Sequence, residues 1–315
     1  MSKQNMINQY REAYKSINNS ISKTELIYPL TNRGFFSEIN NLVLAALFCL
    51  DNEIKLRLCT RNWVGGNWND YFTPLLEEYK GLIPVPSDVF SEKRIDVFFK
   101  MYHKKIKGRK ILRDDIWNKM RSTSFTEKHF SFPELGIDGP IFDAKRQLVD
   151  ILLDYNKETA EEIFFMKEND SNFVKESFGI HIRRGDKVTG KTKEAELFDV
   201  ELYLDKVQEI NSEIKKITIC TDDYNVVENF REKSPEFSYL SFCDSARAGY
   251  FQVQYNDTKD IKRKRAEVID VLKDANLLIN SKIFIGTNSS NISRFVTLMR
   301  NNIDCYSLDT EWSPL

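Results

Sequence analysis

Histidine is nearly absent from this chain: three residues in 315, none at the spacing of a metal-binding pair. A transition-metal centre is therefore not expected. Cysteine is also sparse, five scattered residues (Cys49, Cys59, Cys220, Cys243 and Cys305) without a C-x-x-C pair. That pattern provides neither a zinc ribbon nor a disulfide framework, and it suits a reducing, cytosolic setting. Net charge is only −1, which removes any overall bias towards nucleic acid or anionic membranes. No apolar run is long enough to span a bilayer. The opening MSKQNMINQYREAYKSI lacks the apolar core of a secretory signal. A local basic run from Lys104 to Arg113 reads as a solvated helix face or loop.

What remains is a soluble α/β pattern with room for two domains. "ELIYPL" is a strand candidate. "SEINNLVLAALFCLDN" has the apolar spacing of a buried helix with Ser37 as its cap, and "IKLRLC" is a second strand. From Trp63 to about Phe173 the pattern is mainly helical and charged, broken by Pro84, Pro86, Pro133 and Pro140. A second α/β series starts near Ser177. Strands "FGIHI", "KITICTDD", "FSYLSFC" and "KIFIGT" alternate with helices, which implies a parallel, doubly wound sheet. Ligands of such sheets bind at the carboxyl ends of the strands, where Arg183, Asp222, Asp223, Thr287 and Ser289 fall.

One string points elsewhere. Gly185-Asp-Lys-Val-Thr-Gly190-Lys191-Thr192 fits the phosphate-cradling pattern G-x-x-x-x-G-K-[ST] letter for letter. A P-loop joins strand directly to helix and wraps phosphate with backbone N–H groups. Here Arg183 and Arg184 separate the strand from the first glycine, and Asp186 would place a carboxylate among phosphates. A P-loop kinase or NTPase using Lys191 and Thr192 stays open as an alternative.

Several ordered segments resemble the α1,6-fucosyltransferase branch of the fucosyltransferase superfamily, the core-fucosylating and nodulation-factor enzymes. His181-Ile-Arg183-Arg184-Gly-Asp186-Lys187-Val188 is similar to the family's H-V-R-R-T-D-K-V, and Glu194 to Tyr203 to its E-A-A-F-H-P-I-E-E-Y. Thr221-Asp222-Asp223 follows a strand. Asp274 precedes Thr287-Asn-Ser289-Ser290-Asn-Ile-Ser-Arg294, which resembles T-F-S-S-Q-V-C-R. In the front half, Gly34-Phe35-Phe36-Ser37-Glu38 resembles G-Y-G-C-Q, and Trp68 to Phe72 resembles W-x-D-Y-F. "SARAGYFQVQYN" echoes a family segment upstream of Asp274.

The resemblance implies a GT-B fold, two Rossmann-like domains facing a cleft: residues 1–175 on the acceptor side, 176–300 for the nucleotide sugar, and 301–315 as a tail. It implies fucose transfer from GDP-fucose to a glycan or lipid-linked sugar, inverting and without a metal or other cofactor. Arg183 would fork onto the diphosphate, as lysine could not. Ser289, Ser290 and Thr287 would supply further donors at a helix start. Arg184 has the competing reading of a structural partner for Asp186 or Asp222. Asp274 would accept the guanine N1–H and amine, with His181 beside the base, although an exposed helix acid and a core histidine are the plain alternatives. Gly34 and Phe35 would reach the nucleotide from the front domain.

Glu194 corresponds to the family's base, with Lys187 as its cationic neighbour, Tyr203 at the matching distance, and Glu196 as understudy. Asp186 would join Glu194, Lys187 and Arg183 in the catalytic set, and Asp222 and Asp223, on the donor side, would orient the arginines or the acceptor. The loop between Val188 and Glu194 is three residues longer than in the family, so a non-catalytic GDP-sugar-binding protein is a further alternative. The end at Leu315 leads us to expect no SH3-like tail, and a cytoplasmic enzyme.

Overall fold

In the computed structural model, residues 3–86, 92–106, 110–164, 166–188 and 196–313 are described, and the chain divides into two compact units, Met1–Thr159 and Ala160–Pro314. In the first, strands β1 (Glu25–Pro29), β2 (Lys55–Cys59) and β3 (Lys110–Leu112) form a parallel sheet in the order β2-β1-β3. The helix Phe35–Asp51 connects β1 to β2, and nearly all its residues are buried, as its continuous apolar run requires. It starts three residues earlier than expected. Gly34, not Ser37, is the N-cap, because the Gly34 carbonyl already accepts the Glu38 N–H (3.1 Å).

The stretch expected to be mainly helical also contains β3 and a hairpin, β4 (His129–Phe132) with β5 (Ile137–Pro140). These strands are three or four residues long, too short to show an alternation. The polar opening is a full helix, Lys3–Ser20, anchored by buried Arg11, Tyr14 and Asn18. The basic run does not end in solvent. Arg113 is buried on Glu38, their Nη1–Oε2 distance 3.0 Å.

The second unit is the doubly wound sheet: β6 (Phe178–Ile182), β7 (Lys216–Thr221), β8 (Ser238–Leu240), β9 (Ile283–Gly286) and β10 (Cys305–Ser307), all parallel, in the order β10-β9-β6-β7-β8. Every residue of β6 is buried, since helices cover both its faces. Phe178, Ile180 and Ile182 join a core with Val200, Tyr203 and Val207 of the helix Val200–Asn211 and Val226, Val227 and Phe230 of the helix Tyr224–Lys233. His181 points the other way, onto Ser293 of the helix Asn291–Met299.

From β6 the chain winds outward through β7 to β8, then crosses back to place β9 on the other side of β6. The switch point between β6 and β9 is where doubly wound sheets open a crevice at their carboxyl edge. No helix among the described residues is long and apolar enough to cross a membrane.

Candidate active site

Two turns border that switch point. The first leaves β6 as Arg183-Arg184-Gly185-Asp186-Lys187, its last three residues forming a single 3₁₀ turn. Gly185 has φ +69°, and a Cβ there would lie 2.2 Å from the Tyr250 carbonyl oxygen. Gly249, at φ +95°, meets the Gly185 Cα at 3.0 Å from its own absent Cβ. Two backbones therefore pack against each other where any side chain would separate them. This also disposes of the phosphate-cradle reading of Gly185, whose open side is filled by protein. The rest of that string, Thr189 to Thr192, lies outside the described residues, as does Glu194.

Carboxylates tie the two backbones together. Asp222, just past β7, accepts the Arg184 N–H at Oδ1 (2.7 Å) and the Tyr250 N–H at Oδ2 (3.0 Å). Burial pushes its pKa up, against the pull of Arg183 and these amides. Asp186 accepts the Gln252 N–H (2.7 Å) and lies 3.7 Å from an Arg183 nitrogen. The Arg184 side chain turns away to donate to the Phe198 carbonyl (2.9 Å). Arg183 is held more loosely: its guanidinium lies over the Tyr250 ring at 5.4 Å, and its buried Nε has no hydrogen-bond partner among the described residues. Asp223 caps the helix Tyr224–Lys233 by accepting the Asn225 N–H (3.0 Å).

The second turn follows β9 as Thr287-Asn288-Ser289-Ser290. Ser290 is the N-cap residue of the helix Asn291–Met299, yet its hydroxyl makes no cap bond. That oxygen is buried without a partner among the described residues, a costly state unless a ligand completes it. The turn is held from β10. Asp309 Oδ1 accepts from the Asn288 N–H (2.6 Å), the Ser307 hydroxyl (2.7 Å) and the Thr310 N–H (2.8 Å), and Oδ2 from the Ser289 N–H (2.9 Å). Burial works to raise this carboxyl's pKa, but bonds from Ser307, Ser289 and Thr310 outweigh it and hold the value down to about 2.

The chain matches the family of alpha-(1,6)-fucosyltransferase N- and catalytic domains over residues 139–304, a little more than half its length. It belongs to that family. An alpha-(1,6)-fucosyltransferase of Drosophila melanogaster is 29% identical over 124 residues, 37% of this chain but only 18% of the fly protein, so the match spans under a fifth of that relative. Among solved structures, the fucosyltransferase NodZ from Bradyrhizobium superposes with a TM-score of 0.52 at 12% identity, covering 88% of this chain and 92% of that one. A NodZ alpha-1,6-fucosyltransferase co-crystallised with GDP gives 0.51 at 12%, covering 88% and 93%. At such identity these likenesses establish the fold, which is GT-B.

Within this α1,6-fucosyltransferase-like chain, the remaining expected residues separate by environment. Asp274, on the helix Ile261–Asn280, is half-buried rather than an exposed helix acid. Burial and the nearby Asp270 carboxylate push it up to about 7, against Arg247. Arg247 is itself paired with Glu267 (3.1 Å) and Asp270 (2.8 Å).

His181 is buried, its Nδ1 3.0 Å from the Ser293 hydroxyl, and burial next to Arg183 lowers its pKa to about 3. Tyr203 is buried and donates to the His181 carbonyl (3.4 Å). Lys187 ends the 3₁₀ turn, and Glu196 is exposed in the irregular segment before Val200. Gly34 and Phe35 lie in the first unit. Gly34 has an ordinary φ of −56°, and Phe35 packs edge-on against Phe36 (5.2 Å) and near Trp63 (6.0 Å).

Tyr250 and Asp309 were not singled out from sequence. The "AGYF" echo contained a signal for the first. A three-residue strand in a presumed tail hid the second.

Proposed function

We propose that this chain is an inverting, metal-independent transferase that moves fucose from GDP-fucose to a hydroxyl of a glycan or lipid-linked sugar. The observation that carries the reading is the pairing, across the β6–β9 switch point, of a loosely held arginine with an orphaned serine hydroxyl at a helix start. Both are donor groups of the kind that bind an anion, and a departing diphosphate is such an anion.

In the proposed reaction the acceptor hydroxyl passes its proton to the Glu194 carboxylate while its oxygen attacks the anomeric carbon. The bond from that carbon to the β-phosphate oxygen breaks, and GDP leaves with the electron pair. Attack opposite the leaving group inverts the centre. Arg183, the Ser290 hydroxyl and the first N–H groups of the helix Asn291–Met299 stabilise the growing diphosphate charge. Lys187 supports Glu194, and Asp274 accepts the guanine N1–H and amine. Asp186, Asp222 and Asp223 hold the turns rather than touch the substrate. Five free cysteines support a reducing, cytoplasmic location.

Calorimetry with GDP, GDP-fucose, GDP-mannose and ATP tests the donor. Binding of ATP but not GDP would overturn the reading. Arg183→Ala should lower turnover about 10²–10³-fold where Lys191→Ala leaves it largely intact, and activity should survive EDTA.

A further inference from the structure

The turn after β9 contains an anion of the protein's own, the Asp309 carboxylate, which takes the N–H groups of Asn288 and Ser289. Those are the two amides immediately before Ser290, in a turn that would otherwise present its donors to a ligand. The carboxylate has four donors, two from this turn and two from its own strand end, Ser307 and Thr310. The segment bearing it is fixed independently. β10 pairs with β9 from Cys305↔Phe284 to Ser307↔Gly286. Trp312 donates its indole N–H to the Cys305 carbonyl (3.1 Å) and stacks on Phe284 at 5.9 Å. Asn288 adds a second tie, donating to the Thr310 hydroxyl (3.0 Å) and accepting from the Ser313 N–H (3.1 Å).

We infer that Asp309 is a positioning residue for the donor diphosphate: by binding the Asn288 and Ser289 amides it fixes the turn so that the Ser290 hydroxyl and the following helix start face the ligand. This rests on the donor-site reading above. Two features separate the role from ordinary tail packing. The carboxylate grips the two residues immediately before Ser290. Ser290 itself, in the N-cap position, leaves its hydroxyl unused by the helix. Ser290 has the extended backbone of an N-cap residue, from which a serine hydroxyl ordinarily makes the cap bond. Asp309 holds the turn where that bond is not made.

The test is Asp309→Asn. An amide keeps one acceptor oxygen, but it sets an NH₂ against at least one of the N–H or O–H donors. Binding of GDP and of guanosine is measured by competition, with amide hydrogen exchange read at Asn288, Ser289 and Thr310. We expect GDP to bind about tenfold more weakly while guanosine, which has no phosphate, changes less than twofold, and the three amides to lose protection. A general loss of structure would weaken both ligands together and overturn the inference. Equal GDP affinity in variant and wild type would overturn it too, leaving the donor site intact. No GDP binding by the wild type would instead overturn the donor-site reading, and this inference with it. If Asp309→Asn does not fold, Ser307→Ala, which removes one of the carboxylate's four donors, carries the same comparison. About threefold weaker GDP with unchanged guanosine is expected, and unchanged GDP would count against the inference.

Discussion

Arg113 in the first unit and Arg183 in the second are both near a carboxylate and both laid on an aromatic ring, yet they are built for opposite ends. The Arg113 side chain is 1% exposed and its Glu38 partner 0%. Glu38 also accepts the Thr31 N–H and hydroxyl, and the guanidinium lies over Tyr28 (5.0 Å) and near Trp117 (4.9 Å). Arg183 is 30% exposed, its carboxylate stands off at 3.7 Å, and it has one ring beside it rather than two. A charge sealed from water against its counter-ion fixes a fold; a charge left part-exposed at a sheet edge, with its carboxylate standing off, is available to a ligand.

The largest expected effect is on the structural member. Arg113→Ala leaves Glu38 charged, buried and short of its cation, which costs about 3–5 kcal/mol. Urea unfolding should show the first unit melting early, and adding Glu38→Gln should recover part of the loss. Arg183→Ala should do the reverse. We expect kcat to fall about 10²–10³-fold, the size of losing one group that meets transition-state charge, with a melting temperature within about 2 °C of wild type. A stability loss in Arg183→Ala as large as that in Arg113→Ala would erase the distinction.

The sequence separated these two arginines poorly. Arg183 stood out because it ends an apolar strand within an ordered set of family-like segments. Arg113 was hidden at the end of a basic run, where spacing suggests solvent and gives no hint of Glu38, 75 residues away. The same limit explains the rest of the ledger. The apolar strands of the second sheet and its helices were legible, because burial on two faces leaves continuous hydrophobic runs. Three-residue β3 and β10 were not. Nor were contacts that depend on backbone meeting backbone, such as Gly185 against Gly249, which no residue pattern encodes.

Asp274 falls between the two arginines, half-buried and held up to about 7 by burial and Asp270. Guanine offers donors, so only the ionised carboxylate accepts both. GDP affinity should fall as pH drops through 7, by about tenfold at pH 6 relative to pH 8. The stability effect has the opposite sign. A carboxyl whose folded pKa lies above its unfolded value near 4 favours the folded state when protonated, so this part of stability is lost as pH rises from about 4 to 7. Asp274→Asn should therefore be more stable than wild type at pH 8, by about 1–2 kcal/mol, and bind GDP more weakly. A variant that loses stability at pH 8 would place Asp274 among the structural charges with Glu38.

The smallest effect tests the rings. Arg113 would survive loss of one ring because Glu38 still holds it, whereas Arg183 depends more on Tyr250 because Asp186 stands at 3.7 Å. The Tyr250 backbone, which ties the turn to Asp222 and Asp186, is untouched by a side-chain change. Tyr250→Phe keeps the aromatic face and should behave as wild type. Tyr250→Leu removes it, and at about 0.5–1 kcal/mol for a partly exposed cation–π contact we expect kcat/KM to fall two- to fivefold with unchanged stability. If Tyr250→Leu turned over at the wild-type rate, Asp186 alone would suffice to aim Arg183. The two arginines would then differ in exposure but not in how they are held.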